Sequence, residues 1–179
     1  MAAAYASELE RLLDQARELL GAGDDALLGE ANTAVNHALQ LHPGSVEAWL
    51  LKCQIGSATG DDHAALAAVE MALRRSPHRA EALYWRGAIL GDLGRHAEAL
   101  RSIEAAFRVV ADADHWLLED LFYEKVMLLD ALGLHDAAVA ACEAGLDRCP
   151  GSPLLRAALA PAERSRLKGS LKVLRGGAG

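Results

Sequence analysis

The sequence predicts an all-α chain of stacked helix pairs, and three observations carry that reading. Among 179 residues there are 37 alanines and 31 leucines against 8 valines, 3 isoleucines and 2 threonines. Such a composition favours helices, because strands draw on β-branched and aromatic residues. Similar segments recur at a 34-residue spacing, which is the mark of a repeat architecture. Inside each segment one glycine stands where a first helix should stop and a second begin.

The clearest pair runs from Val46 to Pro77 and from Ala80 to Ala111. Glu47, Ala48 and Trp49 align with Glu81, Ala82 and Leu83, and Gly60, Ala65, Val69 and Ala72 with Gly94, Ala99, Ile103 and Ala106. A further copy, from Glu119 to Pro150, puts Phe122 in the Trp49 slot, Gly133 in the Gly60 slot and Ala138 in the Ala65 slot. The first helices show apolar residues at helical spacing, as in Trp49, Cys53, Gly56 and Phe122, Val126, Leu129. The second helices are expected to start near Asp61, Arg95 and Leu134. Small residues at 65/72, 99/106 and 138/145 mark where two helices must approach closely. Upstream, Leu12, Ala16 and Leu19, then Gly23, then Ala31, Val35, Ala38 and Pro43, repeat the pattern more weakly. Asp114 is a candidate N-cap in an insertion near 112–118. Ser152-Pro153 should open a short helix and Pro161 should begin another, ending near Arg175.

This pattern resembles the tetratricopeptide repeat family, whose unit reads Trp-x2-Leu-Gly-x2-Tyr, then Ala-x3-Phe, then Ala and Pro. Trp49, Ala65, Val69, Ala72 and Pro77 fit it, as do Gly87, Leu90, Ala99, Ile103 and Ala106. The leucine slot departs from it in three units, where Lys52, Arg86 and Lys125 stand; each is expected to bury its stem and lift its charge to water. The resemblance implies a right-handed α-α superhelix of about four helix pairs. The units are a divergent one at 1–45, units at 46–79, 80–118 and 119–152, and a basic capping helix with a frayed tail at 153–179.

Composition narrows the function. Residues 1–150 hold 12 Lys/Arg against 24 Asp/Glu, whereas residues 151–179 hold 6 against 1. An acidic body argues against nucleic-acid binding, which needs basic density along the phosphates. No run of residues is long and apolar enough to span a membrane, and the N-terminus lacks a secretory leader's basic start. Cys53, Cys142 and Cys149 are odd in number and lack metal spacing, so a reducing, cytoplasmic address is expected.

Catalytic signatures are absent: no phosphate loop occurs, and Cys53 and Cys142 occupy core slots. The chain is read as a non-enzyme without cofactor or metal. His63, His96 and His135 recur beside the turns, but repeats about 10 Å apart cannot bring them to one ion, so they are read as solvent-facing. Asp24/Asp25 and Asp61/Asp62 are read as acids at helix N-termini.

Binding is the function the resemblance implies, with the first helices lining a concave groove for a peptide or helix of a partner protein. Carrying over the groove slots gives Leu13, Arg17, Leu50, Gln54, Tyr84, Ala88, Tyr123 and Met127 as the partner-binding set. Glu10, Leu20, Glu47, Ser57, Glu81, Asp92, Asp120 and Asp130 complete an apolar groove with an acidic rim. A subgroup of the family grips acidic chaperone tails with a basic clamp; the equivalent slots here hold Leu13, Arg17, Leu51, Glu81 and Trp85, so an apolar or basic ligand is expected instead. Two alternatives are a small bacterial secretion chaperone and a homo-oligomer joined through array ends or the basic C-terminal helix.

Overall fold

The computed structural model describes residues 2–111 and 116–176, with side chains described from residue 7 to residue 168 except 112–115. Among the described residues there are nine helices: α1 Ala2–Gly21, α2 Asp25–Leu41, α3 Val46–Ala58, α4 Asp62–Arg75, α5 Ala80–Asp92, α6 His96–Val109, α7 Leu118–Ala131, α8 His135–Arg148 and α9 Pro153–Gly176. Their ends follow from local chemistry. Asp24, Ser45 and Asp61 accept backbone N–H bonds at 2.9, 3.2 and 2.9 Å, capping α2, α3 and α4. Gly23, Gly60, Gly94 and Gly133 hold φ between 65° and 74° and reverse the chain between the helices of each pair. The second helices begin after Asp61, Arg95 and Leu134, as expected from the spacing. Asp114 lies outside the described residues.

Every helix touches the next one in the chain, and each odd-numbered helix also touches the next odd-numbered one. The first helices therefore gather on one wall, and the chain curls around it. The apolar core is divided among the units: Val35, Val69, Ile103 and Cys142 are fully buried on the second helices, as are Cys53, Ile89 and Leu121 on the first, with Val126 almost so. This is the quasi-one-dimensional construction of a solenoid, in which each unit buries its apolar face only against neighbours.

Small residues set the distance within pairs. A methyl group at Gly56 would lie 2.9 Å from the Ala65 nitrogen. One at Gly87 would lie 2.5 Å from Ile103 Cδ1, and one at Gly145 would lie 2.9 Å from Phe122 Cβ and from Leu155 Cδ1. The basic residues of the leucine slot do not simply reach for water. Lys52 Nζ donates to the side-chain oxygens of Asn32 at 2.8 Å and Asn36 at 2.5 Å on α2. Arg86 on α5 donates to Glu70 of α4 at 2.6 Å and to Ser102 of α6 at 2.8 Å, and Lys125 lies over the Phe107 ring at 5.6 Å. Each reaches from a first helix to the preceding second helix, so the departure from the family pattern joins adjacent units. These heads are half-buried, and burial holds the Lys52 ammonium below the ordinary lysine pKa.

The C-terminal segment differs from expectation, because α9 runs unbroken through Pro161. A proline inside a helix withholds one N–H and crowds the carbonyl four residues back. That carbonyl belongs to Ala157, and Ala157 and Pro161 are both exposed, so water can satisfy it. Pro150-Gly151-Ser152 repeats Pro43-Gly44-Ser45, and α9 meets α7 and α8 as a first helix meets the unit before it. Leu155, Ala158 and Ala162 bury the joint. Ser152 caps α9 by accepting from the Leu155 N–H at 3.0 Å and donates to Glu119 at 2.5 Å.

Two substitutions separate contact from conformation. Gly56→Val, which drives two methyl groups at the Ala65 backbone, should destabilise the chain by about 2–3 kcal/mol. Gly29→Ala, in the body of α2 with nothing within 4 Å of the added methyl, should stabilise it by about 0.5–1 kcal/mol. Urea titrations followed by circular dichroism would show the midpoints moving in opposite directions.

Candidate functional site: the concave wall of first helices

Three cavities lie along the wall of first helices. The first, about 280 Å³, is lined by Arg17 of α1, Leu50 and Gln54 of α3, and Arg79 and Glu81 beside α5. The second, about 260 Å³, lies between α5 and α7 and is lined by Ala88, Asp92, His96, Glu124 and Met127 among others. The third, also about 260 Å³, lies between α7 and α9 and is lined by Tyr123, Met127, Leu154, Ala157 and Pro161 among others.

The expected groove residues divide between these cavities and the core. Leu13 and Leu50, expected from the sequence in the groove, are 7% and 3% exposed. Their side chains are used up where adjacent first helices meet, with Leu13 in the core of the first unit and Leu50 against Cys53, Ala68 and Ile89. Only the edge of Leu50 shows in the first cavity. Arg17 is exposed and paired with Asp14 at 2.6 Å. Gln54 is half-buried and donates to Glu81 at 3.5 Å. Tyr84 is half-buried and meets Trp85 edge to face, with ring centres 5.5 Å apart. Ala88 and Tyr123 line the second and third cavities, and Met127, 47% exposed, lines both.

Sequence reasoning missed Glu124. It occupies the first-helix slot that holds Leu51 and Trp85 in the preceding units, so a carboxylate among apolar residues was the available signal. It is half-buried beside Asp92 and Asp120. Burial, then the charges of Asp92 and Asp120, raise its pKa to about 7. Asp92 is raised by burial and by Asp62, and Asp120 by burial and by Glu119. Burial and the same group of carboxylates push the Tyr84 hydroxyl above the ordinary tyrosine pKa.

The histidines are not uniformly solvent-facing. His63 is exposed, but His135 Nδ1 lies 2.7 Å from Asp130, and His96 presents a buried Nδ1 without a partner while lining the second cavity. Cys53 and Cys142 are buried, and burial pushes the Cys53 thiol up to about 12, so neither is a poised nucleophile.

The Glu124 shift has a consequence for stability. The unfolded chain releases this proton near 4.5, and the folded chain releases it near 7. Between those values the fold holds the extra proton, so the contribution of Glu124 favours the fold at low pH and is lost as pH rises towards 7. Glu124→Gln should therefore raise stability at pH 8 by about 1–2 kcal/mol, after allowing for screening by water, and change it little at pH 4. Urea midpoints of the variant and parent at both pH values measure the difference.

Comparison with known proteins agrees with this geometry. Residues 80–109 match the tetratricopeptide repeat family model. Tetratricopeptide repeat protein 33 of Xenopus laevis is 29% identical over 115 residues, 64% of this chain and 44% of the relative, so the chain spans less than half of that protein's length. The crystal structure of MamA protein superimposes with a TM-score of 0.72 at 20% identity, covering 95% of this chain and 92% of that one. YrrB, described as a TPR protein with an unusual peptide-binding site, superimposes with a TM-score of 0.68 at 19% identity, covering 93% and 87%. With a matched repeat at 80–109 and the same helix-pair geometry in the units on either side, the chain carries a tetratricopeptide repeat within a fold similar to that of tetratricopeptide repeat proteins.

Proposed function

We propose that this chain is a non-catalytic interaction module whose concave wall, chiefly α5, α7 and α9, holds a peptide or helix of a partner protein. The observation that carries the reading is Met127: a large apolar side chain, 47% exposed, standing on the ridge between two cavities. A monomer gains nothing by leaving such a group in water, whereas a partner that covers it gains apolar burial. Tyr84 and Tyr123 flank it on the same wall, and tyrosine supplies contact area at low conformational cost. Tetratricopeptide repeats are protein-interaction modules, and a peptide site in the similarly folded YrrB supports the same use of the fold. Three free cysteines fit a cytoplasmic address. No helix among the described residues is long and apolar enough to cross a membrane.

A photo-crosslinking residue placed at Met127 should capture a partner that the same residue at Arg101 on α6 does not. Tyr84→Ala with Tyr123→Ala should weaken that partner by about tenfold or more in titration calorimetry, with helicity unchanged. Equal capture from both positions, or an affinity that the tyrosine pair leaves alone, would place the interface elsewhere.

A further inference from the structure

The two halves of the concave wall differ in how their charges are matched. Towards the N-terminus, Arg79 lies 3.2 Å from both Glu47 and Glu81, and Arg17 lies 2.6 Å from Asp14. Between α5 and α7, Asp92, Asp120 and Glu124 have no salt bridge or hydrogen bond to a cation among the described residues. All three are partly removed from water, and the charges of Asp92 and Asp120 add to the cost of keeping Glu124 ionised. Next to them is the mainly apolar cavity between α7 and α9, with Tyr123 and Met127 on one side and Ala157 and Pro161 on the other. Pro161 leaves the Ala157 carbonyl without its helical donor at the edge of this cavity.

We propose that the segment held by this half of the groove is basic with an apolar anchor: an aliphatic side chain enters the cavity between α7 and α9, and Lys or Arg side chains reach Asp92, Asp120 and Glu124. The proposal rests on the groove reading above and names the chemistry of its partner. A cation placed there replaces like-charge repulsion with attraction in a half-desolvated setting, where such pairs are stronger than on an open surface. The apolar cavity demands the anchor, so a small polyamine meets only half of the site. A polyanion is repelled by it.

Three fluorescein-labelled 14-residue peptides with one helical leucine pattern, and Lys, Gln or Glu at every other position, test this by fluorescence anisotropy on the full chain. The Leu/Lys peptide should bind about tenfold tighter than Leu/Gln at low salt, the sum of two or three charge pairs, and Leu/Glu should bind weakest. Asp92→Asn with Glu124→Gln should remove most of that advantage. Glu104→Gln with Glu143→Gln, the removal of two carboxylates at exposed positions of α6 and α8, should leave it within about twofold. If Leu/Lys and Leu/Gln bind equally and Tyr84→Ala with Tyr123→Ala weakens both, the groove reading stands and the charge assignment falls. If both charge pairs weaken Leu/Lys alike and the tyrosine pair does nothing, attraction is diffuse and both readings fall. A dimer of the free chain in light scattering, abolished by Asp92→Asn with Glu124→Gln, would seat the basic end of a second copy in the groove and overturn the partner assignment.

Discussion

The close approach of the two helices in each pair is the constraint on which the structure depends. Where α3 meets α4, the Ala65 backbone leaves no room for a side chain at Gly56, and at other slots Ile103 and Phe122 fill the space beside Gly87 and Gly145. With the pairs held this close, the first helices of successive units also touch one another, and their contacts consume Leu13, Leu50 and Ile89. The wall this makes has curvature and cavities because it is lined by one helix per unit. Alanine therefore dominates the composition for a geometric reason: it gives helix propensity and thinness in the same residue.

Neighbouring units are further joined by polar contacts that differ in chemistry from one joint to the next. Lys52 uses two asparagines, Arg86 a carboxylate, Lys125 an aromatic face, and Ser152 a glutamate. Such variety favours one order of units over another, since a unit moved along the stack would meet the wrong partner. On the concave side, between α5 and α7, Glu124 stands beside Asp92 and Asp120 with no ion pair to a cation among the described residues.

Much of the fold was legible in the sequence, because repeat period, turn glycines and small slots are local signals that recur. Gly60, Gly94 and Gly133 terminate first helices where the spacing placed them, and the paired acids at 24/25 and 61/62 sit at helix starts. The continuity of α9 was not legible: whether a proline breaks a helix depends on whether the freed carbonyl meets water, which only the surroundings of Ala157 decide. Slot position puts residues on the first helices but says nothing of depth, so Leu13 and Leu50, expected in the groove, lie buried in the core. Glu124 escaped because its significance arises from Asp92 on another helix, 32 positions away in the chain.

One half of the third cavity belongs to α9 and the other to α7, so the site spans the joint between two elements of the array. In a linear array each element is held only by its neighbours. Any ligand seated there bridges α7 to α9. Occupancy and the docking of α9 become linked equilibria: what fills the cavity acts as a staple across the joint, and what loosens the joint empties the site.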